Sequence, residues 1–259
     1  MPAFSRGASA PRSAAALIAA ALVAAPATAS IINFEPDSFG NLPDGSAAVD
    51  NMSILDQYEA AFGIRFGLDA DKDLTRDAGD APLLDLVGED DPGNGFLNDP
   101  DGQYDFPRPE HAAELGDYFL RTEGLSGDLA SLLIEYTAGG TFEASGQIWD
   151  IDGSNPSATE QWLVTAYDAS GNPVDSMLSP LGDDNSAAVP TESAPWTWSF
   201  DVMPDGPAIE AILIEFVGSK TNNVGLAFDN FAPRVVPTPG SAALAAMGLA
   251  LVARKRRRD

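Results

Sequence analysis

The sequence predicts an all-β fold: a jelly-roll β-sandwich with long acidic loops, an N-terminal signal helix and a short C-terminal apolar helix. The 259 residues include 24 Gly and 20 Pro, and this density of turn formers favours many short strands over long helices. Several segments alternate apolar and polar residues, as in Trp196–Val202. Such alternation places one face of a strand on a core and the other toward water. Many short strands of this kind in one domain-sized span are typical of a β-sandwich.

The predicted strands follow one another through the middle of the chain. The clearest alternation is in Phe142–Trp149, Trp162–Tyr167 and Trp196–Val202, and the other candidates are Ile31–Glu35, Gly63–Leu68, Tyr118–Thr122, Leu132–Tyr136, Val174–Leu178, Ala211–Val217 and Val224–Phe231. Short helical turns are expected in Ile54–Phe62 and Pro109–Leu115. Residues 69–115 are acidic and show little periodicity. A loop of that length in a compact domain is usually functional or ordered by ions.

The charges divide the chain into three parts. The formal net charge is −25, but both ends are basic. All 39 acidic residues except Asp259, and only 7 of the 14 basic residues, lie within 30–235, so this span has 38 acids against 7 bases and a net charge of −31. A field of that sign excludes binding to nucleic-acid phosphates. The absence of Cys excludes disulfides and thiolate metal sites, and the single His111 excludes a zinc site built from several histidines.

The two ends have the patterns of targeting segments. Residues 1–29 contain a positive start, an apolar stretch and the small-x-small cleavage site Ala27–Ala29, which together predict a secretory signal peptide. Residues 236–259 begin with a short motif, continue as an apolar stretch and end in the basic run Arg254–Arg258. The motif consists of Val236, Pro237, Thr238 and Pro239. The apolar stretch is short for a membrane-spanning helix, and the basic run favours a cytoplasmic end.

The C-terminal layout resembles the PEP-CTERM sorting signal of bacteria, although Thr238 stands where that family has Glu. The resemblance implies transient insertion of the tail in the inner membrane and its removal by an exosortase, a membrane transpeptidase. The alternative is an ordinary short anchor helix. We therefore expect an exported protein whose domain comprises residues 30–235. It would reside on the outer surface or in the extracellular matrix of a bacterium.

Besides the acids of Asp90–Asp105, two acidic segments are candidate calcium sites. Asp69, Asp71, Asp73, Asp77 and Asp80 are spaced like the ligands of a 12-residue calcium loop, and Ca²⁺ takes oxygen ligands of this kind. Leu74 occupies the position where an EF-hand needs Gly, so the pattern favours a looser loop. Asp150 and Asp152 end another predicted strand. The alternatives are a solvated loop for the first segment and turn formers for the second.

The first and last predicted strands supply a further pair of acids. Glu35 ends the first strand, and Asp229 lies within the last one, in the sequence Ala227–Phe231. This pattern resembles the opening and closing strands of bacterial jelly-roll domains related to carbohydrate-binding modules. The resemblance implies a structural calcium where these strands meet, with Glu35 and Asp229 as ligands. From the residues alone, Glu35 also suits the start of a turn and Asp229 a strand cap.

Aromatic residues indicate whether a sugar-binding face exists. Trp149 and Tyr167 lie on the polar side of their strand patterns, where flat rings can stack on sugars. In a sandwich such rings are more often part of the core, and Trp162, Trp196 and Trp198 follow the apolar alternation and are assigned there.

No motif for catalysis is present: the sequence lacks a nucleophile elbow, a phosphate loop and a zinc-protease motif. His111 lies in a loop-like context. We therefore expect a non-catalytic binding or structural domain, stabilised by Ca²⁺ and associated with exopolysaccharide. A secreted hydrolase or lyase acting on polysaccharide is the alternative, and a passive matrix protein without a ligand is a third hypothesis.

Overall fold

The computed structural model describes residues 31–88, 106–122, 130–137, 139–154, 158–182, 194–221, 224 and 227–234. The elements are α1 (Glu59–Phe62), β1 (Ile64–Asp69), β2 (Leu83–Leu86), α2 (Ala112–Leu115), β3 (Tyr118–Arg121), β4 (Ser131–Tyr136), β5 (Glu143–Trp149), β6 (Gly153–Ser154), β7 (Ala158–Thr159), β8 (Trp162–Tyr167), β9 (Pro173–Leu178), β10 (Pro195–Asp201), β11 (Ala211–Phe216) and β12 (Ala227–Asp229). This content confirms the all-β prediction.

Two five-stranded antiparallel sheets form the sandwich. Sheet A has the strand order β1-β4-β11-β8-β9, and sheet B has the order β10-β5-β12-β3-β2. From β3 to β5 and from β9 to β12 the chain crosses from one sheet to the other at each step, which is the connectivity expected of a jelly roll. Strands β6 and β7 form a separate small hairpin.

The core lies between the two sheets and is built from the apolar positions of the alternating strands. Its fully buried members include Phe66, Ile134 and Ile212 from sheet A and Ile148, Trp198 and Phe228 from sheet B. Each such side chain contributes about 1.5–3 kcal/mol when it leaves water. Gly146 is required by this packing, because a Cβ there would lie 2.6 Å from Phe231 and 2.7 Å from Trp198.

The predicted first strand, Ile31–Glu35, is reduced to a single bridge. Ile32 and Phe231 exchange two backbone hydrogen bonds of 2.8 and 2.9 Å. Phe34 then adopts a left-handed φ of 57°, which ends the extended pairing. The first and last segments of the domain thus meet, as expected, but through one residue pair.

The predicted acidic loop 69–115 was too long, because Leu83–Leu86 forms β2 at the edge of sheet B. Four residues are too few for a periodicity to stand out. The signal segment 1–29 and the tail 236–259, with the motif Val236 to Pro239, lie outside the described residues. Within the described ranges, no helix is long and apolar enough to cross a membrane.

Candidate functional site

Three acids from distant parts of the chain converge on the outer face of sheet B, and we call Glu35, Glu114 and Asp229 the carboxylate cluster. Asp229 lies in β12, opposite Gln147 of β5. Phe228 beside it points into the core, so strand alternation turns Asp229 outward. Glu35 follows the Ile32 bridge, and Glu114 belongs to α2.

Backbone and amide groups fix the outer members of the carboxylate cluster. Oε1 of Glu35 accepts hydrogen bonds from the backbone N–H groups of Asp117 at 2.6 Å and Tyr118 at 3.0 Å. Gly116 leaves room for this carboxylate, since a Cβ there would lie 2.2 Å from Oε1 of Glu35. The side-chain amide of Gln147 donates to Oε1 of Glu114 at 2.6 Å.

Asp229 is the least satisfied member of the carboxylate cluster. Its side chain is fully buried. Oδ2 accepts a 3.1 Å hydrogen bond from Asn230, whereas Oδ1 has no partner. Burial raises the pKa of Asp229 well above its ordinary value, and repulsion from Glu35 and Glu114 adds to the rise. A buried, unpaired carboxylate is costly, so this site calls for a positive charge.

No Lys or Arg among the described residues is free for that purpose. The seven basic residues of 30–235 are all described, and six make these contacts: Arg65 with Glu59, Lys72 with Glu215, Arg76 with Glu135, Arg121 with Asp85, Lys220 with Glu160, and Arg234 with the carbonyl of Gly140. Arg108 also has a partner. No ion pair among the described residues reaches Glu35 or Asp229.

The first predicted calcium loop is folded onto sheet A as a strap, which we define as residues 69–80. Lys72 contacts Glu215 at 2.9 Å, Leu74 packs on the apolar patch around Leu213, and Arg76 contacts Glu135 at 2.9 Å. Sequence reasoning missed these three anchors. The signal was present, because non-acidic residues recur at every second position between the acids.

The acids of the strap serve the turn itself. Carboxylate atoms of Asp69, Asp71 and Asp73 lie within 4.8 Å of one another. Asp69 is buried, and its oxygens accept backbone hydrogen bonds from Lys72 at 2.6 Å and Leu74 at 2.9 Å. Burial raises the pKa of Asp69.

The last two acids of the strap lie farther along it. Asp77 accepts from the N–H of Ala70 at 2.7 Å. Asp80 lines a neighbouring surface cavity together with Asp77. Calcium binding by the strap stays a prediction.

The second predicted pair belongs to what we call the lysine cluster, formed by Asp152, Glu160 and Lys220. Nζ of Lys220 lies 2.7 Å from Oδ1 of Asp152 and 2.6 Å from Oε1 of Glu160. Asp150 is buried beside them and repels Glu160. Sequence reasoning found Asp150 and Asp152 but missed Glu160 and Lys220, whose pairing spans 60 residues and leaves no local pattern.

The two predicted sugar-stacking rings are not displayed to solvent. Trp149 faces outward from sheet B as its alternation indicated, but it is fully buried beneath Leu115 and lies 6.1 Å from the ring of His111. The expected exposure of Trp149 is therefore not met, because alternation reports the side of a sheet and not what covers it. Tyr167 is half-buried against the patch around Leu213. The most exposed large aromatic among the described residues is instead Phe39, at 86%.

A groove of about 820 Å³ lies between the strap and the hairpin turn at 168–171. Its walls are polar and include Glu59, Glu135 and Glu210. The described carboxyl groups whose pKa is raised are Glu35, Asp69, Glu160 and Asp229. None of these four lines that groove.

Comparisons with known proteins yield similarity to solved structures only. No family model and no curated protein matches the chain. The CBM22-1 xylan-binding domain of Xyn10C from Paenibacillus barcinonensis is 14% identical, with a TM-score of 0.29 over 74% of this chain and 99% of that one. The enzymatically active domain of tailspike protein 4 from bacteriophage CBA120 is 15% identical, with a TM-score of 0.30 over 76% of this chain and 23% of that one. The description of the fold therefore rests on the strand pairing itself.

Proposed function

We propose that this chain is an exported, non-catalytic surface protein whose β-sandwich is stabilised by Ca²⁺ and binds polysaccharide. The observation that carries the calcium part is Asp229, a fully buried acid with one oxygen lacking a partner and two further acids beside it. A bound cation would neutralise this carboxylate without protonating it, and the seven bases of the domain are engaged elsewhere.

The donor chemistry of the carboxylate cluster suits calcium. Carboxylate and carbonyl oxygens are the ligands that Ca²⁺ prefers, and the three members of the cluster offer oxygen alone. Nδ1 of His111 contacts Oε2 of Glu114 at 3.1 Å. Asp229 through Oδ1 and Glu35 through Oε2 are the residues that would hold the ion. Binding there would join the first and last segments of the domain, since these residues flank the Ile32–Phe231 bridge.

The targeting part of the proposal rests on the two ends of the chain. Residues 1–29 would direct export, and Val236 to Pro239 with the apolar stretch and basic run would recruit an exosortase-type enzyme after transient membrane insertion. The product would remain at the outer surface or in the extracellular matrix.

The polysaccharide part is supported by a rigid loop that displays Phe39. Oδ1 of Asp37 accepts backbone hydrogen bonds from Phe39 at 2.8 Å and Asn41 at 3.0 Å, and Leu42 anchors the loop in the core. A cavity of about 360 Å³ beside it is lined by Glu35, Asp37 and Asn41. A flat ring next to hydrogen-bond acceptors suits a neutral sugar, whereas the surrounding acids repel anionic chains.

Thermal unfolding with EDTA and with excess CaCl₂ tests the calcium part. A cation that binds only the folded state at 100 times its dissociation constant adds about 2.7 kcal/mol, which corresponds to a rise in midpoint of roughly 5–11 °C for a domain of this size. MgCl₂ is the matched control, because Mg²⁺ demands tighter octahedral geometry. An unchanged midpoint in calcium contradicts the proposal.

A glycan array with product analysis tests the polysaccharide part. We expect binding without turnover, and about two- to tenfold weaker binding for Phe39→Ala, since an aromatic contact is worth about 0.5–1.5 kcal/mol. Met203→Ala is the matched control, because Met203 is an exposed apolar side chain on another turn. Release of shortened glycans would favour the hydrolase or lyase instead, and the absence of any binding would favour a passive matrix protein.

A further inference from the structure

The lysine cluster has the construction of a cation site. Asp152 and Glu160 direct one oxygen each at the same point, and Nζ of Lys220 occupies that point at 2.7 and 2.6 Å. These distances are those of charge-assisted hydrogen bonds, and they are close to the 2.3–2.6 Å at which Ca²⁺ holds oxygens. Glu160 is fully buried and the Lys220 side chain is 12% exposed, so bulk water screens the contact little.

Three segments of backbone are tied together around Glu160. Its N–H donates to the carbonyl of Gly182 at 2.9 Å, and its Oε2 accepts from the N–H of Asp152 at 3.2 Å. Lys220 enters from the loop after β11, where its own N–H donates to the carbonyl of Thr159 at 3.0 Å. The ammonium therefore joins segments that are 60 and 68 residues away in sequence, which is what a structural metal does in a loop-rich domain.

The charge states of Lys220 and its partners agree with the comparison between the ammonium and a metal ion. Burial alone would lower the pKa of Lys220, but Glu160 and Asp152 outweigh it and the net shift is upward, so the side chain is held as a cation. Burial raises the pKa of Glu160, and Lys220 opposes that rise. Asp150 lies close enough to Glu160 to raise its pKa, so two carboxylates contact the ammonium and a third lies beside one of them. Breaking such a buried pair from one side is strongly destabilising, because it leaves a buried charge without its partner.

We propose that the Lys220 ammonium is a tethered substitute for a divalent metal ion, so that removing it turns Asp150, Asp152 and Glu160 into a calcium site. In the natural protein this end of the sandwich then needs no metal. On this proposal Asp152 is held by an internal ion pair in place of the calcium ion that the sequence analysis expects there. This inference is independent of the carboxylate cluster.

The test compares Lys220→Ala with Lys220→Met, both in an Asp229→Asn background that removes the other proposed site. Alanine opens space for an ion and its water, whereas methionine fills the space with an apolar chain. We expect both variants to lose stability in EDTA. Millimolar CaCl₂ should restore at least half of the loss in the Ala variant, measured by urea unfolding against the Asp229→Asn parent, and little in the Met variant.

The outcomes separate this proposal from the calcium-stabilised domain proposed above, because the parent chain already lacks Asp229. If Lys220→Ala is unfolded in EDTA, calcium-driven recovery of the β-sheet circular dichroism signal replaces urea unfolding, and failure to recover overturns the proposal. An equal calcium response in the Met variant, or no stability loss in either variant, also overturns it.

Discussion

Asp229 and Glu160 are both fully buried acids in loop-rich parts of one sandwich, and they differ in what lies opposite them. Glu160 contacts Lys220 at 2.6 Å, whereas Oδ1 of Asp229 has no hydrogen-bond partner. The lysine cluster is thus complete as soon as the chain folds. The carboxylate cluster depends on the composition of the solution. A domain with 38 acids and 7 bases can meet only a few of its buried charges from within.

The largest expected effect concerns the lysine cluster. Lys220→Met leaves Glu160 buried without its cation and should cost about 3–5 kcal/mol, measured by urea unfolding in EDTA. Removing the acid as well, in Lys220→Met/Glu160→Met, should recover most of the loss, because apolar replacements of buried ion pairs are often neutral or stabilising. A double variant as unstable as the single one would show that packing, and not charge, sets the cost.

The second-largest expected effect concerns calcium binding by the carboxylate cluster. Asp229→Asn should abolish the calcium-dependent rise in melting midpoint, since the cluster loses its central charge. In EDTA the variant should be at least as stable as the natural protein, because the repulsion from Glu35 and Glu114 is gone. Asp201→Asn is the matched control, an exposed acid on the edge strand of the same sheet, and it should keep the full rise. A full rise in Asp229→Asn would move the calcium site to the strap.

A smaller effect is expected in the strap, because its non-acidic residues attach it to sheet A. Leu74→Ala removes a partly buried side chain and should cost about 1 kcal/mol, whereas Asp71→Asn on the exposed side should change stability by less than about 0.5 kcal/mol. Both are measured by thermal unfolding in EDTA and again in CaCl₂. A loss for Asp71→Asn that appears only in CaCl₂ would mean that an ion orders the strap.

The smallest effect concerns an acid that needs no cation. Backbone hydrogen bonding from Asn172, at 2.9 Å, lowers the pKa of Asp168 below its ordinary 3.8. A lowered pKa means that this stabilisation is present above pH 3.8 and is lost as the pH falls through the lowered value. The midpoint difference between the natural protein and Asp168→Ala should therefore shrink below pH 3.8. A constant difference would assign the effect to turn geometry alone.

The fold could be predicted from the sequence because apolar and polar residues alternate within its strands. Trp198 and Phe200 in β10 face the core and Thr197 and Ser199 face water, as alternation requires. The exceptions have a physical cause. The pattern of Trp149 reports the outer side of sheet B, but α2 covers it with Leu115, and no local rule encodes that contact.

The candidate site was half predictable for a similar reason. Glu35 and Asp229 were predicted as a pair from a resemblance of strand patterns, and in the structure repulsion from Glu35 raises the pKa of Asp229. Glu114 and Gln147 complete the surroundings from remote segments, and the sequence held no sign of them. Glu160 and Lys220 were missed for the same reason, because a pairing across 60 residues depends on the finished topology.

The closing segment of the domain also determines how it bears mechanical load. A pull on the chain beyond Arg234 acts first on the hydrogen bonds that the N–H groups of Arg234 and Ala232 donate to the carbonyls of Phe62 and Ser145, and then on the two of the Ile32–Phe231 bridge. Asn230, which donates to Glu114 and Gln147, comes next, and Asp229 follows it. A cation bound at Asp229 would cross-link the closing strand to the first segment of the domain. The force needed to detach that strand would then rise with the calcium concentration around the protein.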